Sequence, residues 1–303
     1  MKTLFKIIFE FVFTKHYFFD TKKHIISKDI DQEIFDLKYY DTSKIFGAKK
    51  EWYKNLNELI ENLKNNKIKS FLSLDVIRRT MYISRASYTF NELNYLPTKN
   101  YLKENFVGSP LMFFKYPIYS ANRIHHQFHL YNFDIKFHDF INKIDFVFEF
   151  GGGYGSICEN IYRHNYQGDY LLYDFKELSI IQKYYLSNTI SKLDFEKIGF
   201  LSDLKDASNL KSKIIQSSSL FIATWSFSEA DLKTRKLFTE NLLDIFDNYL
   251  IAFQYEFNEI DNLNYFKEFM LINKEIDWEL KLINNSISKN LNQYYLFGKK
   301  KSK

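Results

Sequence analysis

The run Glu149-Phe150-Gly151-Gly152-Gly153-Tyr154-Gly155 sets one acid against four of the nine glycines in the chain. Those types at that spacing make a ligand cradle. Glycine tolerates positive φ and lets a ligand approach the backbone without meeting a Cβ. Phe146 to Phe150 reads as a buried strand, and Ile157 and Ile161 repeat at helical spacing. Strand, tight loop and helix in that order form the phosphate- or nucleotide-binding corner of a doubly wound α/β sheet. A dinucleotide fingerprint needs a third glycine where Ser156 stands. Glu149 would repel a pyrophosphate and attract an amine. Both features argue against a nicotinamide-dependent dehydrogenase. A second acid, Asp174, ends the apolar stretch Tyr170 to Tyr173, roughly 20 residues after the first glycine, the spacing of an acid on ribose hydroxyls. A carboxylate can accept two hydrogen bonds from a vicinal diol. Asp174 can also cap a helix beginning near Glu177.

The elements that must position these residues follow from periodicity. From Ile144 onward, strands and helices alternate. Strands are predicted at Phe146–Phe150, Tyr170–Tyr173, near Phe195–Leu201, at Leu220–Thr224 and at Tyr249–Tyr255. Helices are predicted with Phe238, Leu242, Ile245 and Phe246 on one face, and around Leu263–Ile272. Trp278–Ile283 and Tyr294–Phe297 then predict an antiparallel pair. Residues 1–115 read as a mainly helical N-terminal region, with Trp52, Leu56, Leu59, Ile60 and Leu63 on one helix face. Residues 116–303 read as the α/β domain. Asn91 to Pro110 reads as a loop or linker, because two of the three prolines lie there. Ile124 to Phe140 reads as an amphipathic helix carrying His125, His126, His129 and His138.

Glu-x-Gly-x-Gly-x-Gly after a strand resembles the first motif of class I S-adenosylmethionine-dependent methyltransferases. In that family the loop wraps the methionine and ribose parts of the cofactor. The resemblance implies a Rossmann-like class I methyltransferase sheet, mostly parallel with an antiparallel last strand, over about residues 120–303. It implies S-adenosyl-L-methionine as cofactor, held by Glu149, Gly151, Gly152, Gly153, Tyr154, Gly155, Asp174, Phe175, Thr224 and Trp225. Three further stretches are similar to a group of bacterial sugar O-methyltransferases: Phe128-His129-Leu130, Ser179 to Leu186 with its Gln182-Lys183-Tyr184-Tyr185-Leu186, and Leu220 to Glu229 with its Ser226-Phe227-Ser228-Glu229. The match departs at Ala230, where Met is common in that group, and fades over the first hundred residues.

That resemblance implies transfer of a methyl group to a sugar hydroxyl in a surface polysaccharide, or in its nucleotide- or lipid-linked precursor. A hydroxyl is a weak nucleophile at neutral pH and gains from a base within hydrogen-bond reach. Glu229 is the first candidate, beyond the carboxyl end of the fourth strand, and His129 the second. Each has a plainer reading: an acid at a helix start after Ser228, and a packed structural histidine. With no cysteine or tight aspartate cluster beside the histidines, no metal site is expected. The alternatives are a methyltransferase for another small molecule or a protein side chain, and a module that binds the cofactor without turnover.

Composition sets the remaining bounds. The chain has 303 residues, 42 basic against 37 acidic, and a net charge of +5. The excess lysines are scattered, which does not support nucleic-acid binding. One cysteine, Cys158, makes no internal disulfide, pointing to a reducing, cytoplasmic setting. Met1 to Phe19 is too short and too charged for a membrane span or signal peptide. It reads as a packed helix, with a helix lying weakly on a membrane surface as the alternative. The tail Lys299 to Lys303 reads as a frayed basic end.

Overall fold

The computed structural model describes residues 14–16, 24–43, 47–83, 89–97, 100–113, 118–204, 210–283 and 292–301. Strands β1 (Thr14–His16) and β2 (Leu111–Phe113) pair antiparallel. Then come β3 (Phe146–Phe150), β4 (Asp169–Tyr173), β5 (Ile198–Leu201), β6 (Ser219–Thr224) and β7 (Asn248–Gln254). A small hairpin, β8 (Glu256–Phe257) and β9 (Ile260–Asp261), precedes β10 (Ile276–Leu282) and β11 (Gln293–Lys300). The main sheet runs β10-β11-β7-β6-β3-β4-β5. β3 to β7 are parallel, and β11 runs antiparallel to both β7 and β10. Five parallel strands closed by an antiparallel pair are the Rossmann-like class I methyltransferase architecture.

The chain starts the sheet at β3, builds outward through β4 and β5, then returns to lay β6 on the other side of β3. That reversal leaves a crevice outside the carboxyl ends of β3 and β6, where open α/β sheets bind ligands. β3 is buried at all five positions, as a central parallel strand covered on both faces must be. Only Glu149 breaks its apolar run.

The helices are α1 (Lys28–Phe35), α2 (Gly47–Lys64), α3 (Asp75–Thr80), α4 (Phe90–Tyr95), α5 (Ala121–Phe137) and α6 (Ser156–Arg163), followed by α7 (Lys176–Thr189), α8 (Lys192–Phe195), α9 (Leu210–Ile215), α10 (Ser226–Glu229), α11 (Leu232–Phe238) and α12 (Asn262–Ile272). On α2, Leu56, Leu59, Ile60 and Leu63 are buried, as their spacing predicts. One core joins Leu59 and Phe71 of the N-terminal region to Leu172 and Tyr184. The core on the other side of the sheet is built of Phe148, Phe221, Phe238 and Phe246. α5, buried over most of its surface, contributes Leu130 and Phe133 to that first core. Its Arg123 reaches Glu104 (2.8 Å), Tyr185 (3.1 Å), Glu159 and Asn160, tying α5 to α6 and α7.

Several local expectations need correction. Residues 91–110 are not a plain linker: α4 lies there, and Leu93, Leu96 and Leu102 pack on Ala121, Ile124 and Phe128. Leu93 and Leu96 just before Pro97, and Leu102 between Pro97 and Pro110, supply that core. The helix expected through Phe246 ends at Phe238 and continues as a π turn over Thr239–Leu243. Lys299 and Lys300 of the basic tail are not frayed: they lie in β11, which pairs through Lys300 with Ile276. Of the expected N-terminal helix, 1–13 and 17–19 lie outside the described residues, and 14–16 are strand. The Asn-rich turn between β10 and β11 also lies outside them. No helix among the described residues is long and apolar enough to cross a membrane.

Candidate functional site

A cavity of about 700 Å³ opens at the carboxyl ends of β3, β4 and β6. The glycine loop forms its floor. Gly151, Gly153 and Gly155 have φ of +69°, +58° and +92°. At Gly151 a Cβ would also sit 2.3 Å from that of Ser226, whose hydroxyl donates to the Phe150 carbonyl. Glycine there lets the loops after β3 and β6 touch. At Gly153 only Met81 Sδ lies near a Cβ position, at 3.8 Å, so the space above the loop is left to a ligand.

Two buried carboxyls flank the loop. Tyr170 Oη donates to Glu149 Oε2 at 2.6 Å. No cation offsets Glu149 among the described residues, and burial pushes it up to about 8. Asp174 Oδ2 accepts from the Gly153 amide (2.9 Å) and Gln182 Nε2 (3.2 Å), and its Oδ1 from the Phe175 amide (2.8 Å). Burial pushes Asp174 up to about 7, against those hydrogen bonds. The capping alternative does not describe it. Phe175 is the N-cap residue of α7, with no side-chain cap hydrogen bond, while Asp174 reaches across to the glycine loop. Gln182 fixes the same loop from α7 through the Gly153 carbonyl (3.0 Å).

The far wall comes from β6 and the loop after it. Trp225 has φ +70°, costly for a bulky residue. It is held there by its amide on the Ala252 carbonyl (2.7 Å) and by Ser228 Oγ on its own carbonyl (2.6 Å). Glu229, on α10, lines the cavity with burial alone raising its carboxyl to about 7. Buried Arg235 clamps this segment: Nε donates to the Ala230 carbonyl (2.8 Å), Nη1 to Asn262 Oδ1 (2.8 Å) and Nη2 to the Ser228 carbonyl. Its role was not legible in sequence, since a lone arginine on an amphipathic helix carries no signal.

The remaining wall comes from outside the sheet. Tyr40, Trp52 and Tyr53 stand by Phe175, with Tyr40 and Tyr53 stacked at 4.4 Å and Trp52 6.1 Å from Phe175. Arg79, Met81 and Tyr82 follow, then His125 and His126 from α5.

Of the residues singled out from sequence, Glu149, Gly151, Gly152, Gly153, Tyr154, Asp174, Phe175, Thr224, Trp225 and Glu229 line this cavity. Gly155 does not. It starts α6, and a Cβ there would press on Leu186 at 3.1 Å, so its need for glycine is conformational. His129 does not line the cavity either. It is fully buried behind the wall, its Nδ1 on Tyr295 Oη at 2.6 Å, and burial holds it well below the usual histidine range. One helical turn earlier, His125 takes the place at the cavity that sequence reasoning gave to His129. The rings of His125 and His129 lie 4.2 Å apart, with His126 6.3 Å and 6.4 Å from them, yet among the described residues no group of three His, Cys, Asp or Glu side chains could hold a metal.

The donor set fits S-adenosylmethionine. Two buried carboxyls without cationic partners suit a ligand bearing an ammonium, a sulfonium and a ribose diol, and the open space over Gly153 admits it.

No protein-family model and no curated protein matches the chain. Solved structures do resemble it. An O-methyltransferase family protein from Burkholderia thailandensis shares 12% identity at a TM-score of 0.37, over 59% of this chain and 58% of that one. Magnesium protoporphyrin IX methyltransferase from Synechocystis, solved with S-adenosylmethionine, shares 11% at 0.42, over 59% and 81%. An rRNA methylase from Escherichia coli shares 12% at 0.36, over 59% and 65%. Likeness at this level is one of fold and says nothing of the acceptor.

Proposed function

We propose that this chain is an S-adenosylmethionine-dependent methyltransferase that methylates a sugar hydroxyl. The observation that carries the reading is the pairing of Glu149 and Asp174 on either side of the open Gly153 loop. Glu149 would attract the cofactor's cationic end and Asp174 would accept from its ribose. Phe175, with Trp52 and Tyr53 near it, offers aromatic faces on the Asp174 side. When bound, the cofactor supplies an electrophilic methyl group on a sulfonium. The protein's part is to align an acceptor oxygen with that methyl and to exclude water.

The acceptor would enter between the loop after β6 and the N-terminal region. Arg79, which also pairs with Glu58, and Asp231 and Thr234, which bond each other, line the cavity there with Tyr82 and Trp225. Polar groups interleaved with aromatic faces suit a polyhydroxylated ring. The scattered positive charge favours a saccharide, its nucleotide-linked or lipid-linked form, over a nucleic acid. A single buried cysteine, which can make no internal disulfide, supports a cytoplasmic setting for this reading.

Calorimetry with S-adenosylhomocysteine and with NAD tests the cofactor. Methyl transfer from labelled S-adenosylmethionine to a panel of UDP- and GDP-linked hexoses tests the acceptor. Tight NAD binding with no response to S-adenosylhomocysteine overturns the cofactor assignment. Cofactor binding with methylation of a protein or RNA, and of no saccharide, overturns the acceptor.

A further inference from the structure

His125 stands out among the groups that line the cavity. Its Nδ1 lies 2.9 Å and 3.0 Å from the two carboxyl oxygens of Glu92. Both residues are buried, at 3% and 0% exposure. Glu92 comes from α4 and His125 from the first turns of α5, so two helices of the acceptor side meet in this pair. With Glu92 accepting the Nδ1 proton, the ring is held in the tautomer whose Nε2 lone pair is free. His125 lines the cavity, and no hydrogen bond reaches its Nε2 among the described residues. On its other side the ring runs parallel to that of Trp225, 7° between planes and 6.2 Å between centroids. The ring therefore links the Glu92 carboxylate to the cavity lining.

Resting on the methyltransferase reading above, we propose that His125 is the base that takes the proton from the acceptor hydroxyl, with Glu92 as its positioning residue. As the proton passes to Nε2, the acceptor oxygen forms the new O–C bond. The C–S bond breaks with its electron pair staying on sulfur, which leaves as a neutral thioether. His125 is then an imidazolium against the Glu92 carboxylate and returns its proton to water. Glu229 lacks this arrangement: no described group holds its carboxyl by a hydrogen bond. It is placed to accept a hydrogen bond from the bound acceptor. The other titratable groups about His125 are His126 and His129 on its own helix, Arg123 two residues earlier, Tyr295 of β11 behind His129, and Glu229, which lines the same cavity. His126 and His129 stay neutral, because burial pushes the first down to about 3 and the second well below its usual range. Neither adds a positive charge beside the imidazolium.

Nitrogen-15 NMR of the histidine rings at pH 8, on the full chain, reads the arrangement without any acceptor. The expected result is a protonated Nδ1 and a bare Nε2 on His125. A His125 ring protonated at Nε2 overturns the proposal. With a nucleotide hexose that the wild type methylates, His125→Gln is expected to lower kcat by roughly 10²–10⁴-fold with S-adenosylhomocysteine affinity unchanged. Glu92→Gln keeps the shape of the pair and lowers kcat at least about tenfold at constant KM. Glu229→Gln raises KM more than it lowers kcat. His125→Gln that binds S-adenosylhomocysteine and turns over like wild type overturns the assignment while leaving the methyltransferase reading intact. So does a Glu229→Gln that loses turnover when His125→Gln does not. Wild-type protein that neither binds S-adenosylhomocysteine nor transfers a methyl group removes both.

Discussion

Replacing Glu149 by Gln should make the protein more stable at alkaline pH and a poorer host for a cationic ligand. The carboxyl is 2% exposed, and among the described residues its one hydrogen bond comes from Tyr170. Burial lifts it from 4.5 to about 8. The folded state therefore binds this proton more tightly than the unfolded state does. The associated stability is complete below about pH 4.5 and is lost as pH rises through about 8. At 1.36 kcal/mol per unit, a rise of about 3.5 units sets an upper bound of ~5 kcal/mol on that loss. Gln has nearly the same shape, cannot ionise and can still accept from Tyr170. Urea denaturation of both proteins at pH 5, 7 and 9 gives the comparison. Wild type and Glu149→Gln should lie close at pH 5, where both side chains are neutral. They should diverge by a few kcal/mol at pH 9, with the variant the more stable. Calorimetry should show the reverse for S-adenosylmethionine, whose ammonium and sulfonium gain from an ionised Glu149. Parallel stability curves from pH 5 to 9 would refute the claim that burial holds this proton. Unchanged affinity would refute the cationic role.

Gly153→Val should leave a folded protein, since little but Met81 lies near the added side chain, yet abolish the calorimetric response to S-adenosylhomocysteine; a β-branched residue resists φ +58° and fills the ligand's space. Retained binding would show that the ligand does not lie over this loop. Asp174→Ala strips the acceptor from the Gly153 amide and Gln182, and should weaken S-adenosylhomocysteine by about 1–3 kcal/mol along with a fall in Tm. A fall in Tm alone would confine Asp174 to holding the loop. Arg235→Met leaves the Ser228 and Ala230 carbonyls without their buried donor and should cost about 2–4 kcal/mol in urea denaturation. A change below about 0.5 kcal/mol would show that water replaces the clamp.

Contiguous signals made one part of the protein legible from its residues alone. The apolar run of β3, the glycines after it and Asp174 at the end of β4 lie within thirty residues or so of one another, and each carries a local physical signature. Strand periods placed β4, β6 and β7 to within a residue or two, and the closeness of β10 and β11 made their antiparallel pairing legible. Tertiary structure alone decided which side chains meet across distant segments. His125 and His129 share one face of α5, and their spacing cannot say which faces the cavity. The packing of α5 against β11 seals His129 on Tyr295, while α4 brings Glu92 to His125. Neither contact has a sequence signal, because a buried polar pair depends on the register of two helices. The same holds for Arg235, whose partners lie on the segment before α11 and at the start of α12, and for the aromatic residues Tyr40, Trp52 and Tyr53. The spacing of Trp52 reads as core, Tyr40 and Tyr53 carry no signal, and only the docking of the N-terminal helices beside α7 brings all three to the cavity mouth. Burial is likewise a tertiary property: an acid in an apolar strand is visible in sequence, but the lift of Glu149 to about 8 comes from the layers packed on both faces of the sheet.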